Sequence, residues 1–274
     1  MQFLMAVRLE TNAIEVSLAS GPCVILVAGR VRDCEALMQK EMNENGNHGA
    51  NTDAGFEAAR RDMVARQIRG REIRSERVLE AMAAVQRHLF VPPSEILEAY
   101  RDVPLPIGSG QTISQPFMVA AMAEALSLEG HERVLEIGAG SGYQAAVLSL
   151  LAREVVAVES QHALSEQARE RLARLGYSNV RIEEADGSLG WPAGAPYGAI
   201  LVTAGAPAVP PPLVEQLAEG GRLVIPVGEA DQQELLRVVK HAGHTTQQSL
   251  YACRFVPLLG RYGWPQGNKD ASRG

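Results

Sequence analysis

Aromatic side chains are scarce in this chain of 274 residues, at 5%, and 26 basic residues face 32 acidic ones. A protein that grips nucleic acid usually presents a basic face with aromatics interleaved for stacking. A net charge of −6 runs the other way and favours solubility, so no nucleic-acid partner is expected. Cysteine is nearly missing: Cys23, Cys34 and Cys253 are odd in number, far apart and outside any metal-ligand spacing. That argues against a disulfide framework and for idle thiols in a reducing compartment. His88, His131, His162, His241 and His244 have no cysteine or carboxylate at ligand spacing, so no metal is expected. Long apolar runs are missing too, since no segment reaches the roughly 18 residues that a bilayer span needs. Met1–Val7 is apolar but short, with no basic residues ahead of it, and Cys23–Ala28 is shorter still. The expectation is cytoplasmic residence without a membrane partner.

What the chain does have is enough apolar material, 46% of residues, to bury one large α/β core with a short appendage. Residues 1–55 differ from the rest and read as an N-terminal extension. Arg8, Glu10, Ile14, Val16 and Leu18 give a loose period of two, Cys23–Ala28 suits a short strand, and Glu41–Gly55 suits a flexible linker rich in Asn and Gly. From Phe56 the period turns helical: Met63, Ile68, Ile73, Val78, Leu79, Met82 and Val85 predict two short helices broken near Gly70. Val91-Pro92-Pro93 ends that region, Asp102–Gln115 reads as a loop, and Pro116–Leu128 reads as a helix opened by its proline. Strands are then expected at Arg133–Ile137, Glu154–Val158, Asn179–Glu183, Ala199–Val202 and Arg222–Val227, with helices at Tyr143–Ala152, Ala163–Leu175 and Pro211–Leu217. Leu235–Lys240 and Ser249–Phe255 look like late antiparallel strands. Short apolar strands alternating with helices imply an α/β fold with a doubly wound, mostly parallel sheet, preceded by a helical segment. The main domain is expected over residues 56–260, followed by a tail from 261 to 274.

The sharpest local signal is Val134-Leu135-Glu136-Ile137-Gly138-Ala139-Gly140-Ser141-Gly142-Tyr143, a strand running into a glycine turn and then a helix. Glycines there let a ligand approach the backbone closely. Tyr143 stands where the dinucleotide fingerprint needs glycine, and no Gly-Lys-Ser/Thr ending marks a triphosphate loop. Taken alone, such a loop can be structural punctuation. Glu159, however, closes the second strand, where a carboxylate can accept from both hydroxyls of a ribose. Asp186-Gly187 closes the third, where an aspartate can accept from an adenine amino group. Open α/β sheets bind ligands at the carboxyl ends of such strands. As a set, these features resemble the cofactor site of class I S-adenosylmethionine methyltransferases. Glu136 is open to three roles: holding the glycine loop, reaching the methionine amino group, or a purely structural one.

The acceptor is suggested by a second stretch, Leu105-Pro106-Ile107-Gly108-Ser109-Gly110-Gln111-Thr112-Ile113-Ser114-Gln115-Pro116. It closely resembles the signature of protein-L-isoaspartate O-methyltransferases. Arg87–Pro92, Gly220–Gly228 and Arg254–Leu258 agree with the same family, and the likeness covers residues 56–260. The resemblance implies a monomer that methylates isoaspartyl residues of damaged proteins and peptides, with S-adenosylhomocysteine as co-product. The ester is then expected to cyclise to a succinimide, part of which reopens to normal aspartate. The resemblance further implies a cofactor site at Glu136, Gly138, Ala139, Gly140, Ser141, Gly142, Glu159, Asp186 and Gly187. Substrate contacts are implied at Gln111, Thr112, Ser114, Arg254 and Val256, with Ser114 as the active-site serine. Ser114 then either orients the substrate carboxylate by a hydrogen bond, or caps the helix that starts at Pro116, or does both. Two alternatives stay open: a methyltransferase with another acceptor, and a binding protein that keeps the cofactor fold without activity.

Overall fold

A computed structural model of the chain describes residues 7–10, 13–18, 21–25 and 52–265, in two compact units. The first unit (residues 1–52) carries a three-stranded antiparallel meander of β1 (Val7–Glu10), β2 (Ala13–Leu18) and β3 (Gly21–Ile25). Most of the linker expected at 41–55 lies outside the described residues. Its last three residues do not behave as a linker, because α1 (Asp53–Asp62) begins there, and Asp53 places a negative charge in the first turn.

The second unit is built on a seven-stranded sheet. Its central strands are β6 (Arg133–Ile137), β7 (Glu154–Glu159) and β9 (Tyr197–Val202). Beyond β7 lies β8 (Val180–Glu184), and beyond β9 lie β10 (Leu217–Gly228), β11 (Gln233–His241) and β12 (His244–Cys253). The order across the sheet is β12-β11-β10-β9-β6-β7-β8. The five strands from β10 to β8 run parallel, while β11 and β12 run antiparallel to their neighbours. VLEI, VVAV and AILV form the centre because strands buried on both faces need near-continuous β-branched and aliphatic runs.

Alternate residues of the central strands feed two separate cores. Val134, Ala157, Leu201 and Val224 face the core shared with the helices α2 (Glu76–Ala84), α3 (Pro116–Ala125), α4 (Tyr143–Ser149) and α5 (His162–Arg174). Leu135, Ile137, Val156, Ile200, Val202 and Ile225 face the other core, with Leu213 of α6 (Pro211–Glu215) and Leu258. Among the described residues, no helix is long and apolar enough to cross a membrane.

Three boundaries depart from the sequence reading. The expected loop at 102–115 contains a hairpin of β4 (Leu105–Gly108) and β5 (Gln111–Ile113), in which Pro106 sits opposite Thr112. A two-stranded ribbon leaves Pro106 on a strand edge, where its missing N–H is tolerated. β10 starts at Leu217, where a helix was expected to end, and its pairing with β9 shifts register between Leu217 and Arg222. β12 starts at His244 and not at Ser249, joined to β11 by the tight turn Ala242-Gly243, both residues left-handed (φ 50° and 76°). Its first half is polar because it is an exposed edge, which removes the hydrophobic alternation that would mark a strand.

The double-sided burial of β6 gives a direct test. Leu135 is fully buried between β7 and β9. Leu135→Ala is expected to lower unfolding free energy by about 2.7–5 kcal/mol, read as a shift of the urea midpoint at unchanged slope. A shift below about 1 kcal/mol would mean that this core collapses around the lost side chain.

Candidate active site

β6 has β7 on one side and β9 on the other, although β9 comes two strands later in the chain. That reversal of direction opens a crevice at the carboxyl ends, where ligands of open α/β sheets bind. The glycine turn fills its floor. Gly138 and Ala139 donate their amides to the Val158 carbonyl at 2.8 and 3.2 Å, tying the turn to β7. On the β9 side the Thr203 hydroxyl donates to the Gly138 carbonyl at 2.7 Å. Gly138 has φ 93°, and a Cβ there would lie 2.5 Å from Thr203 Oγ1, so only glycine fits.

Two carboxylates flank the turn. Glu159, at the end of β7, accepts from the Gly140 amide at 2.9 Å and from the Gln161 amide at 3.0 Å. Glu136, one residue before the end of β6, stands between Ala157 and Leu201 and is fully buried. Neither of its oxygens has a hydrogen-bond partner. Burial, and secondarily the nearby Glu159 carboxylate, hold its pKa well above the ordinary carboxylate value. Gln144, in the first turn of α4, is also buried, with its side-chain nitrogen unpartnered.

The opposite wall comes from the hairpin. Gln111, Thr112, Ile113 and Ser114 line the same cavity as Glu136, the glycine turn, Glu159 and Gly187. A third wall is the stretch from Val256 to Leu259. It is held by Gly205, which donates to the Val256 carbonyl and accepts from the Leu258 amide, both at 2.8 Å. Gln233 Oε1 accepts from the Phe255 amide at 2.7 Å and fixes the start of that stretch.

Eleven of the expected site residues line this cavity: Gln111, Thr112, Ser114, Glu136, Gly138, Ala139, Gly140, Ser141, Glu159, Gly187 and Val256. Gly142, Asp186 and Arg254 do not line it. Gly142 turns its back to the cavity: with φ 85° it opens α4, and a Cβ would press on Leu172 of α5 at 3.1 Å. Arg254 is exposed, and its neighbours supply the wall. Asp186, expected beside an adenine amino group, holds the turn that follows β8. Its Oδ1 accepts from the Ser188 amide and hydroxyl at 2.9 and 2.7 Å, and its Oδ2 accepts from the Arg261 amide at 2.8 Å. It therefore pins the segment after Leu259 instead of facing the cavity. Thr203, Gln144, Ser160 and Gln161 line the cavity without having been expected there. A lone glutamine in the apolar run of α4 was the one signal that pointed to Gln144.

Residues 58–263 match the family described as protein-L-isoaspartate(D-aspartate) O-methyltransferase (PCMT). The chain belongs to this family. Among curated relatives, the protein-L-isoaspartate O-methyltransferase of Geobacter metallireducens is 53% identical over 210 residues, covering 76% of this chain and 97% of the relative. Protein-L-isoaspartate O-methyltransferase 2 of Marinobacter nauticus is 56% identical over 208 residues, covering 75% and 95%. A solved protein-L-isoaspartate O-methyltransferase superposes with a TM-score of 0.67 at 30% identity, covering 74% of this chain and 67% of that one. A Plasmodium falciparum protein assigned to the same activity, solved in complex with S-adenosyl-L-homocysteine, gives a TM-score of 0.63 at 25% identity, covering 73% and 98%.

The unpartnered Glu136 predicts a pH signature for this family member. A carboxyl whose folded pKa is raised contributes most stability below its unfolded value, about 4.3, and loses that contribution as pH rises through the folded value. Glu136→Gln removes the titrating carboxyl from the buried site. Its melting temperature is expected to exceed that of the wild type at pH 8, with the gap closing towards pH 5. An offset that is the same at both pH values would mean that Glu136 does not titrate in this way.

Proposed function

We propose that this chain transfers a methyl group from S-adenosylmethionine to the free carboxylate of L-isoaspartyl residues in damaged proteins and peptides. The observation that carries this reading is the shared cavity. One wall is the glycine turn with Glu159, and the facing wall is the Gln111–Ser114 stretch of the isoaspartyl signature.

The residues present suit S-adenosylmethionine. The glycine turn offers a floor without side chains, and Glu159 ends β7 at its rim. Glu136 and Gln144 offer a buried acceptor and a buried donor, both unpartnered, which match the ammonium and carboxylate of an amino-acid end. Gly138 to Ser141 with Gly187 would cradle the rest. Asp186 acts one step removed, through the segment it pins, and Gly142 acts by shaping the start of α4. When bound, S-adenosylmethionine supplies a sulfonium methyl open to attack by an oxygen anion.

The remaining work is positional. An isoaspartyl carboxylate is ionised at neutral pH, so the protein needs no base and no covalent serine. What this chain supplies is alignment of the acceptor oxygen and exclusion of water. We assign Ser114 the donor role: its hydroxyl orients the carboxylate, with Gln111 and Thr112 beside it and the Val256 backbone holding the peptide. Residues 56–260 are read as the catalytic domain of a cytoplasmic monomer, and residues 1–50 as a stretch whose deletion leaves activity largely intact.

The test is methyl transfer from labelled S-adenosylmethionine to two peptides that differ only in isoaspartate against normal aspartate. Label is expected on the isoaspartyl peptide alone, with at least tenfold less in Ser114→Ala, the order expected when one transition-state hydrogen bond is lost. Label on neither peptide, with S-adenosylhomocysteine still bound, would leave a methyltransferase fold with another acceptor.

A further inference from the structure

Ser114 lies in the two-residue link between β5 and α3, so the ends of those elements decide where its hydroxyl stands. A helix start exposes amides that need acceptors, and serine is among the residues that commonly supply one. Here the residue at the N-cap position is Gln115, and its side chain makes no cap. The Phe117 amide is satisfied instead by a residue 15 positions earlier: Asp102 Oδ1 accepts it at 3.1 Å. The other oxygen, Oδ2, accepts from Gln115 Nε2 at 2.7 Å.

A third donor holds that carboxylate in place. Arg71 Nη1 donates to Asp102 Oδ2 at 2.6 Å, while its guanidinium lies over the Phe117 ring, 3.8 Å from the centroid. Asp102 thus grips both residues that flank Pro116, immediately after Ser114, and Arg71 closes the cluster from behind. Ser114 lines the cavity, while the Phe117 amide that its hydroxyl could have capped goes to Asp102.

We propose that Asp102 is a positioning residue for methyl transfer, taking over the cap of α3 so that the Ser114 hydroxyl is available to the substrate carboxylate. The inference rests on the role assigned to Ser114 above. Its chemistry is plain: an acceptor oxygen must be aligned with the methyl group, and a misplacement of about 1 Å can cost on the order of a hundredfold. If Asp102 were absent, the Ser114 hydroxyl, three residues before the freed Phe117 amide, would be within the usual reach of a serine cap, and the donor would be turned away from the substrate.

A double-mutant cycle on the full chain tests this, with Asp102→Ala, Asp102→Asn and Ser114→Ala, singly and combined. The readouts are kcat and KM for the isoaspartyl peptide, and S-adenosylhomocysteine affinity by calorimetry. Asp102→Ala is expected to lower kcat/KM by about ten- to a hundredfold with cofactor-product affinity unchanged. Asp102→Asn recovers part of the loss, because its amide oxygen can still accept from Phe117. In the Ser114→Ala background, removing Asp102 adds little, since both changes remove one effect. Losses that multiply in the combined variant, or a fall in cofactor-product affinity alongside turnover, overturn the proposal. Should Asp102→Ala not fold, Asp102→Leu, which likewise offers the Phe117 amide no acceptor, carries the same cycle, and full turnover in that variant overturns it equally. A wild type that binds S-adenosylhomocysteine but labels no isoaspartyl peptide sinks the acceptor reading, and this inference with it.

Discussion

A parallel strand cannot be joined to its neighbour by a tight turn, and most of this site follows from that constraint. The chain leaving β6 crosses over α4 to β7 and over α5 to β8, all on one face of the sheet. It can then return only on the far side of β6, as β9. The carboxyl ends of β6, β7 and β9 are left diverging around a gap that no connection fills. The glycine turn sits in that gap, tied to β7 through Val158 and to β9 through Thr203. A side chain at Gly138 would collide with Thr203 and break the tie to β9.

Within that frame the site runs against the interest of the fold. A sheet buried on both faces should carry aliphatic side chains throughout, yet Glu136 puts a carboxyl without partners among Ala157 and Leu201. Buried polar groups without partners are rare in native proteins, and those that persist tend to mark function. The surrounding core is large enough to tolerate the cost, with β6 covered on both faces. Glu136 and Gln144 line the same cavity with unpartnered polar atoms, and the proposed contacts to an amino-acid end rest on that.

How far the sequence could be read depended on whether burial or distant contact decided each residue. β6, β7 and β9 were legible because continuous aliphatic runs have few other uses, and their ends fell within two residues of those expected. The front of β12 was not, since an exposed edge strand of Thr and Gln carries no apolar pattern. The hairpin β4–β5 was hidden by its length and by Pro106. The gathering of Glu136, Glu159 and the glycine turn was legible, because those positions follow from strand ends, whereas Ser114 was placed with them only by the resemblance of its loop. The bond from the Arg261 amide to Asp186 was not legible, because Arg261 lies far along the chain and no local spacing announces it. For Glu136 the sequence left three roles open, and no local pattern announced its complete burial without a hydrogen-bond partner.

The wall from Val256 to Leu259 is the last part of the cavity to be synthesised, whereas the wall from Gln111 to Ser114 is made some 140 residues earlier. A growing chain can therefore complete β6, β7 and β9 and still have an open crevice until Gly205 captures its strand-like partner. Cofactor affinity in such a protein reports on the completeness of the polypeptide. A fragment clipped before residue 256 would keep its glycine turn and most of its sheet, yet behave as a vessel with one side missing.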